Sequence, residues 1–184
     1  MSFDIDRLLR SLKPEKHTAI PPTRSAAQLR ADSAHESRRP IVLDTTAYVH
    51  AGQGRLPTHI ATMIALWPLQ HCSVALAEIA HGIGRLDPAH PGTRRNKAFL
   101  ENVLRQIPQH RVVTPSDDQH IAAGILTGVI ARLLNLTGGG HHARVNDALI
   151  FLVAQKVGAA VVTANVADFD ILQQLVPSSH VIYY

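Results

Sequence analysis

The chain has 184 residues, of which 46% are hydrophobic and 17% charged, a balance that excludes a largely disordered protein and fits one domain with a short appendage. It has a single cysteine, no apolar run that approaches the length of a membrane span, and acids and bases where a signal peptide would need an apolar core, so we expect a cytoplasmic protein. The formal net charge of +4 favours polyanionic partners such as nucleic acid.

The first 38 residues differ in composition from the rest of the chain. A short amphipathic stretch, Ile5 to Leu12, precedes polar sequence that is interrupted by prolines and has no sustained hydrophobic period. We therefore predict a flexible N-terminal extension, residues 1–38, which adds little to the core, and a compact domain, residues 39–184.

Short apolar runs alternate with helix-forming segments in the compact domain. Strands are predicted at residues 41–43, at a run that ends near residues 72–74, and at residues 111–113, 160–163 and 181–184. Helices are predicted at residues 58–66, 74–85, 95–107, 116–135, 146–156 and 168–175. This alternation predicts an α/β fold with a mainly parallel central sheet flanked by helices.

Polar and glycine signals mark several of the predicted helix ends. Ser73 is a predicted N-cap, and Ser116 with Gln119 fits a capping box. The three glycines at 138–140 predict a flexible break, and Gly158 is placed to end a helix.

Acidic residues fall at or near the ends of the predicted strands. Asp44 follows the first strand, Glu78 lies in the first turns of the helix after the second, and Asp168 follows the strand that ends at Thr163. In open α/β sheets, ligands bind outside the carboxyl ends of the strands. Asp147 joins these acids if the N-terminus of its helix points at the same crevice.

Three segments, in this order and spacing, resemble the PIN-domain ribonucleases, the family of the VapC-like toxins of type II toxin–antitoxin systems. They are IVLDTTAYV at residues 41–49, SVALAEIAHGIGRL at residues 73–86 and NDALIFLVAQKVGAAVVTANVADF at residues 146–169. The resemblance covers roughly residues 40–184. It implies a PIN-like fold, a metal-dependent endoribonuclease that cleaves RNA, a homodimer and capture by a cognate antitoxin protein.

The resemblance also implies which residues form the site. Asp44, Glu78, Asp147 and Asp168 are the expected catalytic and metal-binding residues. In some relatives the position that matches Asn165 is an aspartate, whereas this chain has an amide there. We therefore assign Asp168 as the fourth acid, and Asn165 as a neutral contributor or a helix cap.

The chemistry of clustered carboxylates agrees with that assignment. Two carboxylates about 5 Å apart repel by roughly 3 kcal/mol at an effective dielectric constant near 20, so three or four need a cation to stay ionised. Mg²⁺, with Mn²⁺ as the alternative, takes oxygen ligands. Either one or two ions fit the sequence, and Thr45 or Thr46 can orient a carboxylate or a water.

Other charged residues have simpler interpretations. Asp117 and Asp118 suit the helix start that Ser116 caps, and Asp170 is expected to be a solvated surface residue. His141 and His142 lack the further ligands of a zinc site, and with Arg144 they are candidates to contact RNA phosphates. Five basic residues form either a solvated face or a rim that binds the RNA backbone: Arg94, Arg95, Lys97, Arg105 and Arg111.

Two other functions compete with the nuclease. A haloacid-dehalogenase-like phosphatase also begins at a strand-end aspartate, but its motif requires a second aspartate where this chain has Thr46. The other alternative is a catalytically silent PIN-like module that binds RNA or a protein. For the homodimer, the aliphatic stretch from His120 to Leu136 is a candidate source of apolar surface.

Overall fold

The computed structural model describes residues 4–19, 21–33, 36–136 and 141–184, and within these ranges strands and helices alternate. The strands are β1 (Ile41–Leu43), β2 (Leu69–Cys72), β3 (Val112–Val113), β4 (Ala160–Thr163) and β5 (His180–Tyr183). The helices are α1 (Ile5–Leu12), α2 (Ala26–Ser33), α3 (Thr45–Gly52), α4 (Thr58–Leu66), α5 (Ser73–Gly84), α6 (Thr93–Gln106), α7 (Asp117–Leu133), α8 (His141–Lys156) and α9 (Val166–Leu175). Short 3-10 helices cover Pro14–Lys16 and Gln109–Arg111. None of the described helices is long and apolar enough to cross a membrane.

The strands form one parallel sheet in the order β3-β2-β1-β4-β5. Every residue of β1 and β4 is buried, as expected for strands that are covered on both faces. The predicted α/β fold with a parallel central sheet flanked by helices is confirmed. The chain runs outward from β1 to β3 and then returns to β4 on the other side of β1. That reversal opens a crevice at the carboxyl ends of β1 and β4, which is where open α/β sheets bind ligands.

Six of the helices form two groups of three, and each group packs around one central helix. In the first group α8 contacts both α7 and α9, and in the second α5 contacts both α3 and α6. The core is mainly aliphatic, with one aromatic contact between α8 and α9, where the ring centroids of Phe151 and Phe169 are 6.5 Å apart. The two groups meet where α5 contacts α8.

Several local predictions are confirmed. The predicted strands at residues 41–43 and 160–163 and the helix at residues 58–66 have the predicted bounds. Ser116 forms the predicted capping box, in which its backbone N–H donates to Gln119 Oε1 at 2.9 Å. Gly158 has a φ of +65°, a conformation that glycine adopts without a steric penalty.

Other local predictions are wrong. Helix α3 was not predicted, and Asp44 caps its N-terminus by accepting the N–H groups of its first two residues. Helix α8 begins at His141, five residues earlier than predicted, so Asp147 lies in its second turn and not at its N-terminus. Ser73 is the first residue of α5 and makes no capping bond, because Cys72 occupies the cap position. The predicted glycine break at 138–140 lies outside the described residues.

The N-terminal segment packs on the domain through both of its helices. Helix α1 contacts α7, and α2 contacts the edge strand β5, where Ser33 Oγ accepts the backbone N–H of Tyr183 at 2.9 Å. Leu12 and Leu29 are buried in the core, so the expectation that this segment adds little to the core is corrected. The division of the chain at residue 38, and the flexibility of residues 1–38, stay predictions.

Asp170 is also corrected, because it is buried and not solvated. Only 3% of its surface is exposed, and its carboxylate accepts from Arg24 Nε at 2.6 Å and from the Arg24 backbone N–H at 3.1 Å. Helix α9 begins two residues earlier than predicted, and Asp170 meets a partner 146 positions away in the chain. This ion pair joins the N-terminal segment to the domain.

We predict that Arg24→Met destabilises the protein by about 1–3 kcal/mol, because it leaves the buried Asp170 carboxylate without its cation. The lower part of the range allows for solvent screening of Arg24, a third of whose side chain is exposed. Urea unfolding measures the change, with the exposed Arg10→Met as the matched control. Adding Asp170→Asn to Arg24→Met should restore part of the loss. Equal unfolding midpoints for Arg24→Met and wild type would contradict the assigned role of the pair.

Candidate acidic active site

Asp44 lies at the carboxyl end of β1, at the bottom of the crevice. Only 2% of its surface is exposed, and its carboxylate is held by neutral donors. Oδ1 accepts the backbone N–H of Thr45 at 2.7 Å. Oδ2 accepts the hydroxyl of Thr46 at 2.7 Å and that of Thr163 at 2.8 Å. The carboxylate is therefore fixed by β1, by the first turn of α3 and by the last residue of β4.

The two threonine hydroxyls are themselves oriented by the chain that follows β4. Thr46 Oγ1 accepts the backbone N–H of Ala164 at 3.1 Å, and Thr163 Oγ1 accepts that of Asn165 at 2.9 Å. Because each hydroxyl already accepts a hydrogen bond from the backbone, its proton points to Asp44. The end of β4 thus sets the position of the carboxylate at the end of β1.

Glu78 reaches the same crevice from the second turn of α5. Its Oε2 accepts the hydroxyl of Thr45, and its Oε1 accepts Asn146 Nδ2 at 2.9 Å. Thr45 and Thr46 are consecutive, and they bind Glu78 and Asp44 respectively. The first turn of α3 therefore brings these two carboxylates together, and the expectation that a threonine here orients a carboxylate is confirmed.

Asn165 connects the other two acids. Its Nδ2 donates to Asp147 Oδ2 at 3.2 Å and to Asp168 Oδ2 at 3.1 Å. Its Oδ1 accepts the backbone N–H of Asp168 at 3.4 Å and so caps α9. Asn165 is both the neutral contributor and the helix cap that the sequence suggested, and a single amide nitrogen lies between the two carboxylates.

Arg144 is the cation that contacts this group of acids. Its Nε donates to Asp168 Oδ1 at 3.1 Å, and both side chains are 30% exposed. It lies three residues before Asp147 on α8, on the same side of the helix. Of the possible phosphate contacts suggested for Arg144, His141 and His142, the structure describes only the Arg144 side chain.

The neighbouring acids change the pKa of Asp147. Its pKa is raised to about 8, mainly by burial and then by the neighbouring carboxylates of Asp44, Asp168 and Glu78, in that order, while Arg144 opposes the rise. Only 9% of Asp147 is exposed to solvent. The three other acids therefore lie close enough to Asp147 to act on its charge, and their role as catalytic and metal-binding residues stays a prediction.

Several contributors were not foreseen from the sequence. Asn146 directly precedes Asp147 in the sequence, and Thr163 lies two residues before Asn165. This closeness to expected site residues was the signal that could have identified them. Tyr184, the last residue, gave no signal. Its pKa is raised to about 12, mainly by burial, while a hydrogen bond with Thr46 lowers it and the charge of Asp44 raises it. Its hydroxyl lies 3.2 Å from His50 Nδ1.

Asp117 and Asp118 lie outside this group, as expected. Both are in the first turn of α7, and Asp118 pairs with Arg7 of the N-terminal segment. Among the described residues, no three His, Cys, Asp or Glu side chains are gathered closely enough around one point to hold a metal ion. The four acids are instead spaced by the hydroxyls and amides that bind them.

The fold has counterparts among solved structures, although no protein-family model and no curated protein matches the sequence. A chain in the structure of VapBC2 from Rickettsia felis bound to a promoter DNA fragment superposes with a TM-score of 0.55 and 19% identity, over 79% of this chain and 99% of that one. A chain of DNA-bound VapBC from Salmonella typhimurium gives 0.54 and 22%, over 77% and 96%. A chain of VapBC-1 from nontypeable Haemophilus influenzae gives 0.53 and 16%, over 78% and 96%.

The chain has a PIN-like fold. The fold expected from the resemblance is thus confirmed, and about a fifth of this chain lies outside each match. Within the PIN-like fold, the four acids expected from the sequence converge at the reversal of the sheet.

We predict that Asp147→Asn stabilises the metal-free protein at pH 8. In wild type the folded pKa of Asp147 lies above the ordinary aspartate value of 3.8, so its contribution to stability is complete below pH 4 and is lost as the pH rises towards 8. The amide carries no charge and keeps an oxygen that accepts from Asn165. The variant should exceed wild type by about 1–3 kcal/mol at pH 8, and the difference should shrink towards pH 4.

Urea unfolding in EDTA at pH 4, 6 and 8 measures this difference. The exposed Asp117→Asn is the matched control and should show no such trend. A difference between Asp147→Asn and wild type that stays constant with pH would show that Asp147 is not held among like charges.

Proposed function

We propose that this protein is a divalent-metal-dependent endoribonuclease and the toxin of a type II toxin–antitoxin pair. The observation that carries the proposal is the set of four carboxylates at the carboxyl ends of β1 and β4, where the pKa of Asp147 is raised to about 8 by burial and by its three acidic neighbours. A fold has no need of four mutually repelling acids in one crevice. Cation binding would explain why they lie together, since a crevice that contains an acid with a shifted pKa is a candidate functional site.

The donor set fits a hard divalent cation such as Mg²⁺ or Mn²⁺. Asp44, Glu78, Asp147 and Asp168 offer only oxygen ligands and up to four negative charges. A divalent ion in such a site supplies a hydroxide-like nucleophile and stabilises charge on a phosphate. Because the carboxylates are spaced by neutral donors, binding requires some of them to exchange a hydroxyl or amide partner for the ion.

The remaining residues position these acids. Thr45, Thr46 and Thr163 hold Asp44 and Glu78, while Asn165 holds Asp147 and Asp168. At neutral pH without a cation, the carboxyl group of Asp147 keeps its proton. Positive charge nearby favours its ionised form, so ion binding is expected to release that proton.

The catalytically silent module remains the alternative. A module that only binds RNA has no use for a carboxylate cluster, since carboxylates repel the phosphate backbone. The complete set of four acids therefore favours the nuclease, and the haloacid-dehalogenase-like reading is disfavoured by Thr46, which serves here as a hydrogen-bond donor to Asp44.

The toxin assignment is supported by the neighbours of the fold, which come from VapBC complexes. By that likeness we propose an antitoxin partner and a homodimer. The stretch from His120 to Leu136, suggested as apolar surface for the dimer, is mostly used inside the protein. Ala123, Leu126 and Ile130 are buried, and α7 packs on α8. A dimer would therefore need other surface.

We predict that Asp44→Asn and Asp147→Asn each lower RNA cleavage by roughly two orders of magnitude or more, because each removes a charge from a site that must hold a cation. Single-stranded RNA is incubated with wild type or variant in Mg²⁺, in Mn²⁺ or in EDTA, and cleavage is followed with time. EDTA should abolish wild-type cleavage. The exposed Asp117→Asn is the control and should cleave like wild type.

Three outcomes would contradict the proposed metal-dependent nuclease. Wild-type cleavage that persists in EDTA would exclude a metal-dependent mechanism. Absence of cleavage in every condition, combined with tight RNA binding, would favour the silent module. Cleavage by both variants at the wild-type rate would make the acids structural.

A further inference from the structure

A cleft of about 740 Å³ opens beside the acidic site and begins at two of its residues. Glu78 and Asn146 line one end, and the cleft extends along α5 towards the start of α7. Its other described lining residues are Ser73, Val74, Ala77, His81, Arg85, Thr114, Pro115, His120 and Leu149. The cleft is therefore continuous with the carboxylates and provides room for a ligand that leads away from them.

The spacing of residues on α5 aligns basic side chains with the acidic site. Glu78, His81 and the C-cap residue Arg85, which keeps a helical backbone conformation, are separated by three and four residues, so they share one face of the helix. Seven residues at 1.5 Å each separate Glu78 from Arg85, which gives the row a length of about 10 Å. His81 and Arg85 are both exposed.

His120, near the start of α7, adds a third basic residue to the lining. Its Nδ1 lies 3.0 Å from the Ser116 carbonyl oxygen, which can only accept, so Nδ1 donates to it, and in the protonated ring Nε2–H is the donor left for a phosphate. Glu78 is the only carboxylate among the described residues that line the cleft. Within the described chain Arg85 has no carboxylate partner. The cleft is thus acidic at one end and basic along its length.

We propose that this cleft binds the sugar–phosphate backbone of single-stranded RNA on one side of the bond that is cut, through His81, Arg85 and His120. The inference rests on the proposed nuclease function and assigns its substrate-binding track. Phosphates are the anions that a strand presents at regular intervals, and a row of basic groups leading out of a metal-binding site matches that pattern.

The lining residues also indicate which part of an RNA strand the cleft contacts. No described lining residue is a Phe, Tyr or Trp, so the cleft lacks a large aromatic platform for bases, which favours contact with the backbone. The basic residues of α6 are a weaker candidate for the track. Lys97 and Arg105 both lie 3.7 Å from Glu101, so part of their charge is balanced within the helix. Binding through the cleft is therefore expected to tolerate changes of RNA sequence.

The test measures RNA binding in EDTA, so that its result does not depend on cleavage. A fluorescently labelled single-stranded RNA is titrated with the full chain, and anisotropy gives the Kd at several salt concentrations. The variant is the triple His81→Ala, Arg85→Ala and His120→Ala. The matched control, Arg10→Ala, His59→Ala and His110→Ala, removes the same residue types from exposed positions outside the cleft. Circular dichroism checks that both variants are folded.

The cleft variant should raise the Kd by roughly tenfold or more and make its dependence on salt shallower, because fewer phosphates are neutralised. The control should change the Kd by no more than about twofold. Equal losses in both variants, an unchanged Kd in the cleft variant, or no RNA binding by wild type would each overturn the proposal. Failure of the nuclease assignment would appear separately, as wild-type cleavage that is absent or insensitive to EDTA, while the binding result stands on its own.

Discussion

Repulsion among four carboxylates is the constraint around which the crevice is organised. Asp44, Glu78, Asp147 and Asp168 approach one another where solvent is largely excluded, and the result is visible in the pKa of Asp147. Neutral hydroxyl and amide donors stabilise the ionised acids without adding charge. Arg144 is the one cation of the described chain in contact with them, through Asp168. The group therefore remains short of positive charge, which is the property that a cation-binding site requires.

The sheet topology makes this arrangement possible. The order in which strands are added to the sheet reverses between the parallel strands β1 and β4. The ends of these neighbouring strands therefore lead into different helices and leave a crevice between them. Asp44 ends one strand, Thr163 ends the other, and the hydroxyl of Thr163 donates to Asp44. Helices α5 and α8 then bring Glu78 and Asp147 to the same place. The basic cleft beside Glu78 follows from the same geometry, since His81 and Arg85 lie on the face of α5 that carries Glu78.

The parts of the structure that the sequence predicted depend on local patterns. β1 and β4 are continuous apolar runs, and the capping box at Ser116 is a four-residue signal. Helix α3 was missed because its sequence, TTAYVHAG, begins with two β-branched residues, and its start depends on the Asp44 cap. Asp170 was misplaced because its partner, Arg24, is distant in sequence. The four acids were expected from resemblance and position, but the role of Asn165 between Asp147 and Asp168 required the fold.

We propose that these carboxylates form one site that binds a divalent cation. Electron paramagnetic resonance of Mn²⁺, titrated into the RNA-free protein at pH 7.5, tests it directly, since free and bound Mn²⁺ differ in signal. We expect that wild type binds Mn²⁺, that Mg²⁺ competes for the site, and that Asp44→Asn combined with Asp147→Asn weakens binding by at least about tenfold. Equal Mn²⁺ binding by wild type and the double variant, or no binding by either, would contradict it.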